Sequence, residues 1–393
     1  MVEHRSILTV AKMFMTLVGF WKYPHQQHLT KFFYNLYSLL IVLYFFLYTS
    51  CLYIKFIITV STASSLDPDN FTQLAYVIGH MMATYVIMVC RGSNFNGVIS
   101  EIAVEENRIL EGGDDDILKS HLQLIRWDNW INLLFAVFTI GTGFALGLEN
   151  LLRNVEIAHY NRDHNTTLER PLLVQIYYFK INKHKWANSL LVISEISFAC
   201  TTLMFLACKV SVYTCIVFAS SVLKMIQIKF RKMGLGKENP LAALKQLVAE
   251  HQRVIAFRFV DRLNASIKFQ ILLEYLLNSL NVAAVSIQLI TYEKKMLLTP
   301  ILYLGFLLIQ VFVLGISANE IRIQSLAVSD AIYFSPWEEQ SEAAKKILLT
   351  VIARAQIPLE LTIGPFGPMV IESALAICKA SYSYVTLMMT NVQ

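Results

Sequence analysis

The sequence is poor in charged residues. Only 16% of its 393 residues are Asp, Glu, Lys or Arg, whereas 55% are hydrophobic, and the mean hydropathy is +0.51. A water-soluble chain of this length would carry about 25% charged residues. The apolar excess therefore has to face lipid. The formal net charge of +5 is small and dispersed over short loops, so nucleic acid is not expected as a partner.

Patterns that would indicate a metal site, a disulfide framework or an enzyme are also missing. The six cysteines lie within or at the edge of apolar segments, and none forms a Cys-x-x-Cys pair. There is no Gly-x-Ser-x-Gly, His-Glu-x-x-His or P-loop motif. We therefore expect no catalysis, no metal and no cofactor. The acidic run Asp114-Asp115-Asp116 is predicted to be a solvated turn.

Long apolar runs are what the sequence has instead. A membrane helix needs roughly 20 apolar residues to cross a hydrocarbon core of about 30 Å. Seven stretches meet that requirement: Phe32–Val60, Phe71–Cys90, Trp130–Leu148, Leu190–Leu223, Phe269–Tyr292, Met296–Ile316 and Pro368–Met389. The sequence therefore predicts an all-α membrane protein with seven transmembrane helices.

The distribution of Lys and Arg predicts the orientation of these helices. With the N-terminus in the cytoplasm, the cytoplasmic segments carry 21 Lys and Arg residues and the outer segments carry 8. Seven spans then place the C-terminus outside the cell. Two glycosylation sequons, at Asn70 and Asn165, fall on the outer side, whereas a third at Asn264 falls inside and should stay unmodified.

Two amphipathic helices are predicted on the cytoplasmic side, over 240–260 and 341–356, because their apolar residues recur near a 3.6-residue period. We expect them to form an anchor region, packing on each other or on a neighbouring subunit. The predicted organisation has three parts. They are the first four transmembrane helices in 1–225 with an outer lid loop at 150–187, the cytoplasmic extensions with helices five and six in 226–364, and the last helix in 365–393.

Ionisable side chains inside the predicted spans are functional candidates because they are costly in lipid. They are Lys55, His80, Glu195, Lys209, Glu274, Glu372 and Lys379. For Lys55 and Lys209 we favour an interpretation in which the ammonium group reaches the membrane interface. For Glu195, a wetted binding cavity and a structural hydrogen bond remain open. His80 is interpreted as a core histidine more readily than as a ligand contact.

The C-terminal third carries three motifs that resemble the signature of insect odorant receptors. The first is an aromatic-Ser-Pro-Trp turn from Tyr333 to Trp337, the second is Arg-Ala-Gln-x-Pro at Arg354 to Pro358, and the third is Lys-Ala-Ser-Tyr-Ser-Tyr at Lys379 to Tyr384. The segment Tyr177-Tyr178-Phe179-Lys180 departs from the Tyr-Pro-Phe-Asp-like turn of many relatives. The chain is less similar to gustatory receptors, and it lacks the long cytoplasmic insertion of the odorant co-receptor.

This resemblance implies an odorant-gated, non-selective cation channel in the plasma membrane of a sensory neuron dendrite. The chain would be an odorant-binding subunit that joins a co-receptor in a heterotetramer, with the last helix of each subunit lining one central pore. The residues that recur at helical spacing near the outer end of that helix are Ser383, Leu387, Thr390 and Asn391. We expect Leu387 to form the gate.

The odorant would enter a cavity in the outer half of the bundle, between the second, third, fourth and sixth spans. Small volatiles need apolar contact and few polar anchors. The candidates, chosen for depth and for aromatic or hydroxyl character, are Tyr76, His80, Phe138, Thr142, Ser194, Ser197 and Tyr303. The alternatives are a seven-helix G-protein-coupled or gustatory-type chemoreceptor, which the charge distribution disfavours, and a secondary transporter, for which broken helices are weakly indicated.

Overall fold

The structure is a computed structural model, and the residues that it describes are almost entirely helical. They are 6–21, 28–62, 93–112, 114–168, 170, 172–173, 177, 185–233, 240–255, 259–291 and 298–392. The helices are α1 (Thr9–Leu17), α2 (His28–Thr62), α3 (Ser93–Glu111), α4 (Asp115–Asp163), α5 (Ala187–Arg231), α6 (Pro240–Ile255), α7 (Phe259–Thr291), α8 (Leu298–Tyr333), α9 (Glu342–Ala355) and α10 (Ile371–Val392).

Four helices in the described part of the chain are long and apolar enough to cross a membrane. They are Thr30–Thr59 within α2, the whole of α4, the whole of α5, and Pro300–Tyr333 within α8. These helices confirm the predicted first, third, fourth and sixth spans. The predicted fifth and seventh spans are the helices α7 and α10. The predicted second span, 71–90, lies outside the described residues.

The helix α4 is much longer than its apolar segment. Its 49 residues extend for about 74 Å at 1.5 Å per residue, more than twice the thickness of the hydrocarbon core. The segment 150–187, which we predicted as a lid loop, is therefore helical as far as Asp163. The helix stays attached to α5 here because the Asn150 side-chain amide donates to Glu195 Oε1 at 2.8 Å. Of the two alternatives for Glu195, the structure shows the structural hydrogen bond.

The start of α4 corrects the prediction for the acidic run. Asp114 is the N-cap residue, and its carboxylate accepts hydrogen bonds from the backbone N–H groups of Asp116 at 3.0 Å and Ile117 at 3.4 Å. Lys232, just after α5, reaches Asp114 at 2.8 Å and Asp116 at 2.7 Å. The hydrogen bond from Lys232 lowers the pKa of Asp114 below its ordinary value. The run is thus a helix cap that joins the adjacent ends of α4 and α5.

The main hydrophobic core surrounds the second half of α5, where nearly every side chain from Met204 to Leu223 is buried. A helix that is buried on all sides needs apolar or small residues around its whole circumference, and this stretch supplies them. The helices α1, α4 and α8 all pack against it. This arrangement makes α5 the central element of the described bundle.

The short helix α1 is joined to α3 by a buried carboxylate. Glu106 of α3 accepts hydrogen bonds from the backbone N–H of Ile7 at 2.7 Å and the hydroxyl of Ser6 at 2.5 Å. Its side chain is 4% exposed and lies 3.3 Å from His121 Nε2. Burial alone would raise the pKa of Glu106, but the hydrogen bonds from His121, Ser6 and Ile7 outweigh burial and lower it. Ser6 and Ile7 precede α1, so their donor groups have no acceptor within that helix, and Glu106 supplies the acceptor.

A second, smaller core, which we call the anchor cluster, joins the ends of α5 and α8 to α6 and α9. It comprises Ile226, Phe230, Met233, Leu244, Leu247, Val328, Ala331, Ile332, Ala344, Leu348, Val351 and Ala355. Ser341 caps α9 by accepting a hydrogen bond from the Ala344 N–H at 3.3 Å. The two amphipathic helices predicted from periodicity are therefore present, and their apolar faces meet in one cluster.

Candidate ligand-binding cavity and pore helix

A small cavity of about 20 Å³ lies inside the helical bundle where α4, α5, α7 and α8 meet. Its lining residues are Phe135, Thr139, Phe205, Leu206, Lys209, Tyr213, Glu274, Phe306, Gln310 and Leu314. Aromatic and aliphatic side chains form most of the wall, and polar groups come from all four helices. A volume of this size holds about one water molecule or one small chemical group.

The polar side of the cavity is an ion pair between Lys209 of α5 and Glu274 of α7. The ammonium contacts Glu274 Oε1, and the two side chains are only 11% and 3% exposed. The side-chain amide of Gln310 lies 3.4 Å from the same carboxylate oxygen. The interpretation that Lys209 reaches the membrane interface is therefore wrong. A buried ammonium needs a nearby opposite charge, which Glu274 supplies, because isolated charges are costly to remove from water.

Two aromatic pairs surround the cavity. The rings of Phe138 and Phe306 are stacked with their centroids 6.4 Å apart and an interplanar angle of 14°. Phe135 meets Tyr213 edge to face at 5.7 Å and 84°. Because Phe306 lines the cavity, the stacked Phe138 lies next to the cavity wall.

The structure brings together only some of the residues predicted to bind the ligand. Phe138 lies at the edge of the cavity against Phe306, and Tyr303 lies about one turn of α8 farther along and packs on the core. Thr142 donates a hydrogen bond to its own helix, at the carbonyl oxygen of Phe138. Ser197 is buried and contacts the hydroxyl of Tyr44 on α2.

None of the predicted ligand contacts that the structure describes is itself a lining residue of the cavity. Ser194 is buried near the start of α5. Tyr76 and His80 lie outside the described residues. Sequence reasoning missed the cavity-lining roles of Thr139, Phe306 and Gln310. Opposite charges at Lys209 and Glu274, in consecutive predicted spans, were the signal from which the polar side could have been found.

A buried carboxylate joins α4 to α5 beside this region. Asp128 is fully buried and accepts a hydrogen bond from the side-chain amide of Asn132 at 2.8 Å. The hydroxyl of Thr214 lies 3.2 Å from the same carboxylate oxygen. Thr214 directly follows the cavity-lining residue Tyr213. These contacts therefore hold α4 against α5 next to the cavity.

The helix α10 contains the residues predicted to line a pore. Ser383 is exposed and its hydroxyl donates to the carbonyl oxygen of Lys379 at 3.1 Å. Leu387, Thr390 and Asn391 are within the helical backbone, but their side chains are outside the described part of the structure. The hydroxyl of Ser381, which is 1% exposed, lies 3.1 Å from the carbonyl oxygen of Ser279 and joins α10 to α7.

The structure describes one of the two sequons that we predict to be glycosylated. Asn165 is exposed just after the end of α4, with a φ of 49°. Asn70 lies outside the described residues. The use of either site stays a prediction.

Comparison with known proteins identifies the family. The sequence profile described as "7tm Odorant receptor" matches residues 69–382, which is most of the chain. The chain belongs to the 7tm odorant receptor family. Proteins of this family are receptors and not enzymes, so the prediction that the chain is not an enzyme is confirmed.

Individual relatives of this odorant receptor match over shorter stretches. It is 35% identical to Odorant receptor 10 of Aedes albopictus over 41% of this chain and 44% of that protein. It is 30% identical to Odorant receptor Or2 of Anopheles gambiae over 44% of this chain and 49% of that protein. The chain thus spans about half the length of the curated relatives that it matches.

Solved structures show the same fold. The insect olfactory receptor OR5 from Machilis hrabei in complex with eugenol matches with a TM-score of 0.80 and 15% identity, covering 98% of this chain and 97% of that one. A second structure of the insect olfactory receptor OR5 from Machilis hrabei matches with a TM-score of 0.75 and 15% identity, covering 96% of each chain. The predicted all-α fold with seven transmembrane helices is confirmed.

Proposed function

We propose that this odorant receptor is the ligand-binding subunit of a heteromeric, ligand-gated, non-selective cation channel. The cavity between α4, α5, α7 and α8 supports the proposal, because it is mostly apolar and located in a fold similar to that of a receptor solved with eugenol. Such a cavity suits a small volatile that needs apolar contact and few polar anchors. The ligand would extend from the cavity towards Phe138 and Tyr303.

Ligand binding requires this cavity to expand, since about 20 Å³ cannot hold a volatile of several carbon atoms. The stacked pair of Phe138 and Phe306 would separate to admit it. A ligand shifts a channel towards opening only if it binds the open state more tightly. The expanded cavity is the state that we assign to the open channel.

The helix α7 connects the proposed ligand site to the proposed pore. Glu274 of α7 lines the cavity, and the backbone at Ser279 of the same helix accepts a hydrogen bond from Ser381 of α10. Displacement of α7 by the ligand would therefore reach α10 directly. In the assembled channel, Ser383, Leu387, Thr390 and Asn391 would face the pore, with Leu387 as its gate.

The proposed assembly is a tetramer with the odorant co-receptor in the plasma membrane of a sensory neuron dendrite. The N-terminus would be cytoplasmic and the C-terminus extracellular, as the distribution of Lys and Arg predicts. The anchor cluster would then lie on the cytoplasmic side. Its neighbours Tyr333 and Phe334 are 64% and 76% exposed and could contact adjacent subunits.

Whole-cell recording tests this function. The chain is expressed with and without the co-receptor, and a panel of volatiles is applied while G-protein signalling is blocked with a non-hydrolysable GDP analogue. We expect a fast cation current that needs the co-receptor and persists under the blockade. A response that disappears under the blockade would contradict the channel and support the G-protein-coupled alternative.

A further inference from the structure

The ammonium group of Lys209 has hydrogen-bonding capacity that its protein contacts leave unused. A lysine side chain has three N–H donors. Among the residues that the structure describes, Glu274 Oε1 is the one hydrogen-bond acceptor of this ammonium. Its other close contact is the ring of Phe205, whose centroid is 4.8 Å from Nζ. Donors that are buried without an acceptor are unfavourable, so an acceptor brought by a ligand would be bound strongly.

The position of Lys209 makes such a contact possible. Lys209 lines the cavity beside Gln310, and Phe306 lies about one helical turn from Gln310 along α8. A ligand that separates Phe138 from Phe306 would therefore point one end towards the ammonium. The existing volume of about 20 Å³ fits the oxygen-bearing end of a ligand. The rest of the ligand would lie between the aromatic rings.

We propose that Lys209 binds the oxygen of volatile carbonyl compounds, namely ketones, aldehydes and esters, at the inner end of the odorant cavity. This inference rests on the proposed function. A carbonyl oxygen accepts hydrogen bonds and donates none. The carbonyl oxygen of such a ligand would accept from the donors of the Lys209 ammonium that Glu274 Oε1 does not use. Lys209 thereby determines specificity, and Glu274 is a positioning residue that holds the ammonium in place.

The expected discrimination is large enough to measure. Hydrogen bonds to charged groups change equilibria by about 10- to 100-fold. Acetophenone and ethylbenzene are suitable probes because they share one carbon skeleton and differ by a carbonyl in place of a methylene. For each variant, we would measure the concentration of each probe that gives a half-maximal current and take the ratio of the two concentrations. The different solubilities of the probes affect this ratio equally in every variant, so they cancel when variants are compared.

The test uses the double variant Lys209→Met/Glu274→Gln. Changing Lys209 alone would leave Glu274 buried without its counter-charge, which is strongly destabilising, whereas the double change removes both charges and nearly keeps the volume. Lys55→Met is the matched control, because Lys55 is a half-buried lysine on α2 that does not line the cavity. Surface labelling of the assembled channel establishes that each variant reaches the membrane.

With the co-receptor present, we expect acetophenone to be favoured over ethylbenzene by about 10- to 100-fold in the wild type and in Lys55→Met. In the double variant this ratio should fall to within about threefold, as expected when the charged donor is removed. A current whose ratio is unchanged in the double variant overturns the role of Lys209 and leaves the channel function standing. Absence of any volatile-evoked current in the surface-expressed wild type overturns both.

A binding measurement decides the case in which the double variant reaches the surface but does not conduct. The purified complex in nanodiscs is heated with each probe, and its thermal stabilisation is recorded. We expect acetophenone to stabilise the wild type more than ethylbenzene does, with this difference lost in the double variant. Equal stabilisation by the two probes in the wild type would overturn the inference.

Discussion

Replacing Glu106 by Ala should detach α1 from the bundle. The substitution removes the carboxylate that accepts from the backbone N–H of Ile7 at 2.7 Å and contacts His121 at 3.3 Å. Ile7 and His121 are both fully buried. Each buried donor left without an acceptor costs about 1–3 kcal/mol, so the two together should cost about 2–6 kcal/mol.

The adjacent residue provides a matched control. Glu105 is one position earlier on α3 and pairs with Arg108 at 3.0 Å, with side-chain exposures of 36% and 55%. Exposed pairs of this kind contribute about 0–1 kcal/mol. Glu105→Ala should therefore leave stability almost unchanged although it removes the same charge from the same helix.

The assay combines thermal unfolding of the detergent-solubilised receptor with hydrogen exchange of the α1 amides. In Glu106→Ala we expect a lower unfolding temperature and faster exchange in α1, with α9 unaffected. Equal unfolding temperatures and equal α1 exchange in the two variants would refute the assigned role of Glu106.

The pH dependence of the same measurement provides a further check. The pKa of Glu106 is lowered in the folded protein, so its contribution to stability is present above the ordinary value of about 4.3 and is lost as the pH falls through the folded pKa. The difference between the wild type and Glu106→Ala should therefore shrink on acidification below about pH 4.

Three further outcomes follow from individual residues. Leu348→Ala should destabilise the anchor cluster by about 2–5 kcal/mol, whereas Leu349→Ala on the exposed face of α9 should change the unfolding temperature of the isolated chain little. Burial, reinforced by the charge of Arg354, lowers the pKa of His251 to about 4, so stability should fall between about pH 6.5 and 4, and His251→Gln should remove that slope in unfolding scans. Asn165→Gln should remove one glycosidase-sensitive shift in gel mobility, and a glycosidase-sensitive shift that is lost in Asn264→Gln would contradict the proposed orientation.

Much of the fold could be predicted from hydropathy because lipid imposes long apolar helices. The predicted spans at Trp130–Leu148 and Leu190–Leu223 lie inside α4 and α5. Periodicity predicted α9 nearly to the residue, since Ser341 is a strong N-cap and the apolar stripe of the helix is regular. Hydropathy could not predict the ends of α4, because its polar extensions are held by individual side-chain contacts such as Asn150 with Glu195.

The candidate site was harder to predict than the fold. Phe138 was predicted to contact the ligand because it is aromatic and central in an apolar span; it packs on the cavity-lining Phe306, and its contact with a ligand stays a prediction. Lys209 was misinterpreted because a single sequence shows the length of a lysine and not its neighbour. Its partner Glu274 is 65 positions away in the chain, and only the packing of α5 against α7 brings the two charges together.

The helix α5 runs without interruption from the proposed ligand cavity to the anchor cluster. A tilt of this helix would therefore move residues at both places. Its 45 residues span about 68 Å, so a rigid tilt of about 5° displaces one end relative to the other by about 6 Å. Lys209 lies near the middle of this helix, and Ile226 and Phe230 lie at its end within the anchor cluster. With the start of the helix fixed, a tilt that moves Lys209 by about 3 Å would thus move the end of the helix by about 6 Å, where subunits would meet.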